Sequence, residues 1–171
     1  MKEASPAITL QRASEQHIDE LVALYSHPHV TRQTLQMPYP SAELWRKRLS
    51  VESERLLPLI ALYEGQVIGN CSLEQHARVR RAHTGSIGMA VAHDWQGQGV
   101  GTRLLAAVLD VADNWMSLLR VELTVFADNK PALALYQRHG FEVEGQLRDY
   151  AMRDGRLTDV YSMARLHRRE R

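Results

Sequence analysis

Apolar side chains recur along this chain with one of two periods, and the switches between them mark its elements. Ile8 to Arg12 alternates apolar and polar as a short strand does. Ser14 offers an N-cap for a helix whose stripe runs through Ile18, Leu21, Val22, Leu24 and Tyr25. His27 to Pro40 carries three prolines and no sustained period, which predicts an irregular connection of the kind that often serves binding. Ser41 then caps a second helix through Leu44, Trp45 and Leu49. Leu59 to Tyr63 and Val67 to Gln75 read as strands on either side of the turn Glu64-Gly65-Gln66, and Thr84 to Ala92 as a third. Between them, Gln75 to His83 is a basic loop holding Arg78, Arg80 and Arg81. After a glycine-bearing turn, Val100, Leu104, Leu105, Val108, Leu109, Val111, Ala112 and Trp115 fall on one broad helical face. Val121 to Phe126 is another strand, and Pro131 and Gly140 bracket a helix over Ala132 to His139. Phe141 to Gln146 and Val160 to Leu166 are the last strands, with a turn at Arg153-Asp154-Gly155. The order β-α-α-β-β-β-α-β-α-β-β predicts a mixed sheet flanked by helices, as one domain over 1–171 with its core over about 8–166.

Composition narrows the partners. With 21 basic and 20 acidic side chains there is no broad field to draw nucleic acid or an acidic membrane. The tail, His167 to Arg171, is a short basic end expected to fray. The longest apolar run, Leu56 to Tyr63, is too short to span a bilayer and contains Pro58, and residues 1–6 have no apolar core for a signal peptide. These features predict a cytoplasmic protein. Cys71 is the only cysteine, which excludes an internal disulfide and a cysteine-based metal cluster, and no metal is expected.

The turn before the long helix is where chemistry is expected. Gly97, Gly99 and Gly101 allow a sharp turn and a close approach of backbone to ligand. The amides from Gln98 through Val100 to Thr102 then converge where the helix dipole favours negative charge, a site for phosphate or pyrophosphate. A Walker A loop would need a lysine after Gly101, where Thr102-Arg103 stands, and a Rossmann fingerprint would need one more residue between Gly99 and Gly101.

What remains, Gln96-x-x-Gly99-x-Gly101, resembles the Gln/Arg-x-x-Gly-x-Gly/Ala signature of the GNAT superfamily of acyl-CoA-dependent N-acyltransferases. A second segment agrees: Asn129, Ala132, Tyr136 and Gly140-Phe141 stand in register with that family's Asn-x-x-Ala-x-x-x-Tyr-x-x-x-Gly-Phe. The resemblance covers roughly Ile8 to Leu166. It implies an α/β (α+β) GNAT fold, with a mixed, mostly antiparallel central sheet flanked by helices. It further implies acetyl-CoA as co-substrate, held at Gln96, Gly97, Gln98, Gly99, Val100, Gly101 and Thr102. Met89, Ala90 and Val91 at the strand end would pair with the pantetheine arm and face the thioester carbonyl. Asn129 would bind the cofactor, although Asn before Lys-Pro is also a natural helix cap.

Acyl transfer also needs an acid for the departing thiolate and a neutral amine. The resemblance gives the acid to Tyr136, whose phenol has an ordinary pKa near ~10. The base departs from the family, because its strand glutamate is replaced in Ser86-Ile87-Gly88. Glu74 on the adjoining strand is the substitute, with His76 and His83 behind it, and a water chain is the alternative. Toward the acceptor, Thr34 to Ser41, Trp45 and the loop Arg78 to Arg81 resemble the YhhY-type branch, bacterial enzymes acetylating the α-amine of free amino acids such as phenylalanine and methionine. Leu35, Met37 and Tyr39 would line an apolar pocket, and Arg81, or the more remote Arg32, would pair with the substrate carboxylate. The expected partners are thus acetyl-CoA and a small amine, and a homodimer is one state the sequence leaves open. Competing readings are acetylation of a protein N-terminus or another amine, and a non-catalytic CoA-binding sensor. A strongly acidic aminoglycoside site is disfavoured, since His27 to Ser41 has no Asp or Glu.

Overall fold

A computed structural model describes residues 7–50 and 53–168; the opening segment 1–6 and the tail end 169–171 lie outside these described residues. The elements are β1 (Ile8–Arg12), α1 (Ile18–Ser26), α2 (Pro28–Arg32), α3 (Ala42–Leu49), β2 (Leu56–Tyr63), β3 (Gln66–Gln75) and β4 (Thr84–Val91), followed by α4 (Val100–Asn114), β5 (Arg120–Phe126), α5 (Lys130–Arg138), β6 (Glu142–Arg153) and β7 (Arg156–Leu166).

The strand patterns pair as their turns dictate. Glu64 and Gly65 both take left-handed backbone (φ 48 and 78) and join β2 to β3 with Tyr63 opposite Gln66. Asp154 and Gly155 (φ 50 and 74) do the same for β6 and β7, with Arg153 opposite Arg156. Two left-handed residues in a two-residue loop match the twist of the strands they connect. The seven strands form one sheet in the order β1-β2-β3-β4-β5-β7-β6. Among the described residues its pairings are antiparallel except β4 with β5.

Each face of the sheet is covered by an amphipathic layer. On one, the stripe Val100, Leu104, Leu105, Val108 and Ala112 of α4 packs on Cys71, Leu73, Ile87, Val121 and Met163. Gly69 admits that helix, since a Cβ there would stand 2.9 Å from Leu104 Cδ1 and 3.0 Å from Val100 Cγ1. On the other face, Ile18, Leu21, Leu24 and Tyr25 of α1, with Trp45 of α3, cover Ile60, Leu62, Val67 and Ala90.

Several boundaries differ from the sequence pattern. The irregular segment after His27 contains α2, with Pro28 at its start and His29 N–H donating to His27 Nδ1 at 3.2 Å. Five residues are too few to show a period, and a proline at a helix start is favourable where it would break an interior. Ser14 precedes a 3-10 turn, Glu15–His17, which leads into α1. Trp115 is not on the buried face: it is the C-cap of α4, where the helix unwinds, and is 79% exposed. β6 and β7 reach further toward their turn than alternation indicated. β6 is a largely exposed edge, and a register shift between Leu147 and Ala151, with Asp149 at φ 52, erases its period.

Leu104→Ala removes a fully buried side chain from the α4 layer and should cost about 2–5 kcal/mol in chemical denaturation. A loss below about 1 kcal/mol would contradict the packing described.

Candidate active site

The site begins where the sheet comes apart. β4 and β5 pair at only three positions, Thr84 with Arg120, Gly85 with Val121 and Ser86 with Glu122, and both strands then continue without each other. β4 stays paired to β3 through Val91, so the backbone groups on its other side, from Ile87 onward, have no strand partner across the gap. A cavity of about 420 Å³ fills that gap.

The glycine turn closes one end of it. Gly97 and Gly99 are left-handed (φ 73 and 82), and a Cβ at either would meet nothing within 4 Å. Their requirement is therefore conformational, and the turn leaves open space for a ligand. Gly99 is the N-cap of α4, and Arg103 N–H is the first to find its helical acceptor, Gly99 O at 3.1 Å. The amides of Val100, Gly101 and Thr102 lack intrahelical acceptors and lie at the positive end of a fifteen-residue helix. Gly101 serves packing instead, with the Cβ position 3.1 Å from Leu135 Cδ2 and 3.5 Å from Met89 Cε. The glutamines brace the turn: Gln96 Nε2 donates to Val91 O (3.2 Å) and Gln98 Nε2 to Asp94 O (2.8 Å).

Most residues expected to hold acetyl-CoA line this one cavity: Met89, Ala90 and Val91, the turn residues apart from Gln98, and Asn129 and Tyr136. Asn129 also caps α5, its Oδ1 accepting from Ala132 N–H at 3.3 Å. Tyr136 is 7% exposed and packs edge-on against Phe141. Burial, then nearby Cys71 and Tyr25, hold its phenol well above the ordinary value, so it keeps its proton at any working pH. Sequence reasoning missed His29 of α2 and its C-cap Gln33, which line the same cavity, and Asp128 beside Asn129; Thr34, expected on the acceptor side, lines it as well. The sequence signal for the first two was hidden with α2 itself.

A second cavity, of about 660 Å³, lies between the segment after α2 and the tip of the β6–β7 hairpin. Leu35, Met37 and Tyr39 line it, facing Phe126 and Met152, and Thr34 lines both cavities. Tyr39 is 99% exposed, with left-handed backbone (φ 57) that turns its ring outward from the loop. Trp45 is elsewhere, buried against Tyr25 with ring centroids 4.9 Å apart. Arg81 lines neither cavity; its Nη2 donates to both Glu122 oxygens at 3.0 and 3.1 Å. The arginines that do reach the second cavity are Arg32, paired through Nε with Asp154 at 2.9 Å, and Arg153. Glu74 stands opposite Ser86 in the β3–β4 register, is exposed, and lines neither cavity. No group of three or more His, Cys, Asp or Glu arranged to hold a metal occurs among the described residues.

A parted parallel strand pair, with a left-handed glycine turn opening a helix beside it, forms a cleft with an anion site at one end, and similarity to known proteins gives its class. A model of the acetyltransferase (GNAT) family matches residues 18–141, and the chain belongs to that family. The L-amino acid N-acetyltransferase AaaT of Escherichia coli (strain K12) is 35% identical over 159 residues, covering 93% of this chain and 98% of that protein. Spermidine N(1)-acetyltransferase of the same strain is 27% identical over 128 residues, covering 72% and 67%. Among solved structures, an acetyltransferase of the GNAT family from Streptococcus pneumoniae superposes with a TM-score of 0.83 at 27% identity, covering 94% of this chain and 99% of that one. The protein is an acetyl-CoA-dependent N-acetyltransferase of GNAT type.

Cys71, the only thiol in the chain, sits fully buried under α4, and burial pushes it up to about 12. A buried, protonated thiol is a poor nucleophile, so it offers no covalent way-station for the acetyl group. In the native protein it should react with an aromatic disulfide reagent at least ~100-fold more slowly than in the denatured chain. Equal rates would contradict the burial.

Proposed function

We propose that the protein transfers acetyl from acetyl-CoA to the α-amine of free apolar L-amino acids such as phenylalanine and methionine, by direct transfer in a ternary complex. The observation that carries this reading is the second cavity. It offers an apolar wall, Leu35, Met37, Phe126 and Met152, together with Arg32, and meets the cofactor cleft at Thr34. An apolar side chain fits that wall, and Arg32, whose Nε pairs with Asp154, takes the substrate carboxylate in place of Arg81, which lines neither cavity. The name of the Escherichia coli relative points the same way.

In this reading acetyl-CoA lies with its pyrophosphate on the amides of Val100, Gly101 and Thr102 and its thioester beside Met89, Ala90 and Val91. Tyr136 donates to the departing sulfur. Its raised pKa keeps the phenol protonated as a hydrogen-bond donor to that sulfur and makes it a weaker acid than a free phenol. Neither Glu74 nor Ser86 lines the cleft, so the amine loses its proton to water rather than to a strand carboxylate.

Two outcomes are expected. Tyr136→Phe should lower kcat by about a hundredfold with unchanged CoA affinity and unfolding midpoint; equal turnover would return Tyr136 to the core alone. L-Phenylalanine should exceed L-phenylalaninamide in kcat/KM by about tenfold or more when only the neutral amine of each is counted. An amide that matches or exceeds the acid excludes the carboxylate contact and makes peptide N-termini the leading acceptors.

A further inference from the structure

An amine that will attack a thioester must first be gathered, and most amines arrive protonated at neutral pH. Among the described residues lining the cofactor cleft there is one carboxylate, Asp128. Arg153 engages both of its oxygens, Nη1 to Oδ1 at 3.2 Å and Nη2 to Oδ2, yet the Asp128 side chain is still 60% exposed. A carboxylate accepts up to about four hydrogen bonds, so capacity remains for a further donor.

The arginine is itself fixed. Its guanidinium lies 4.6 Å from the Phe126 ring centroid, and Nη1 also donates to Arg32 O at 3.4 Å. Arg153 lines the second cavity and Asp128 the first, so the pair links the two linings, and Thr34 belongs to both. Hydrogen bonds from Arg153 hold the Asp128 carboxyl below the usual carboxylate range, so its charge persists wherever an enzyme of this kind works. A carboxylate so held is too weak a base to strip an ammonium, but it attracts one. Attraction is the scarcer service here, because the cleft is otherwise built to hold an anion.

We propose that Asp128 is the ammonium subsite of the acceptor, receiving the protonated amine at the junction of the two cavities before the proton leaves to water. Pairing this site with Arg32 as the carboxylate contact gives a clamp for a zwitterion, and that half of the arrangement rests on the amino-acid reading above. The ammonium half does not.

Calorimetry on the full chain in the presence of CoA separates the two. The probes are L-phenylalanine, 2-phenylethylamine, which has the ammonium alone, and 3-phenylpropanoate, which has the carboxylate alone. Asp128→Asn keeps an oxygen for Arg153 while removing the charge. It should weaken both amines about tenfold or more, leave 3-phenylpropanoate equal or tighter, and leave CoA unchanged; Asp128→Glu should restore most of the amine affinity. The subsite is overturned if the Asn variant binds both amines like wild type, if it loses the acid or CoA to the same degree, or if wild type takes up neither amine. If 2-phenylethylamine depends on Asp128 while Arg32→Gln leaves L-phenylalanine and 3-phenylpropanoate untouched, the ammonium subsite stands and the amino-acid reading fails.

Discussion

The parting of β4 from β5 is the constraint on which the rest depends. A parallel pair that closed along its whole length would satisfy its own backbone and leave no room for a ligand. Here pairing stops after Ser86 and Glu122, and β4 continues with no strand partner on that side, where Gln96 Nε2 donates to Val91 O. Buried backbone groups left unpaired are costly, so such a gap persists only where the surrounding layers hold it open and a ligand completes it. The layers are in place: α4 packs under β4 and β3 through Leu104 and Leu105, α1 and α3 cover the opposite face, and α5 approaches Gly101 from across the gap. The same geometry aims the α4 N-terminus at the cleft, so one strand–turn–helix unit supplies both an open β edge and an anion site.

The second cavity is built differently. It is assembled from the segment after α2 and the tip of a long edge hairpin, elements with few neighbours of their own, and held by ion pairs rather than by core packing. Arg32 with Asp154, and Arg153 with Asp128, tie the hairpin to α2 and to the end of β5. Exposed pairs contribute little to global stability, roughly 0–1 kcal/mol each. Their effect is local, fixing where charge stands where the linings of the two cavities meet. A scaffold that keeps its cofactor cleft while exchanging such pairs could change acceptors without refolding.

How much of this the chain displayed in its residues follows from period and from turn chemistry. The long stripe of α4, the left-handed pairs at Glu64-Gly65 and Asp154-Gly155, and Pro131 with Gly140 around α5 all advertise themselves, and the family fold follows from their order. The glycine turn was legible because Gly97 and Gly99 adopt backbone that few other residues tolerate. Short or bent elements were not. α2 is under two turns long, and β6 is an edge whose bulge scrambles alternation, so the walls of the second cavity were seen only as loop. Charge partners were hidden as well. Arg81 lies some forty residues from Glu122, and Arg32 more than a hundred from Asp154, so no local spacing reveals which arginine is already engaged. Asp128, next to a conspicuous cap residue, gave no sign of its own.

The central claim is that the gap beside β4, closed by the left-handed turn at Gly97 to Gly99, is where CoA binds. Calorimetric titration of CoA into wild type and Gly99→Val tests it most directly. A β-branched side chain at φ 82 forces the turn away from the backbone that presents its amides, and α4 loses its cap geometry only at the first residue. The variant should retain a cooperative unfolding transition while its CoA affinity falls by at least about tenfold. Undiminished affinity in a folded Gly99→Val protein would contradict the account.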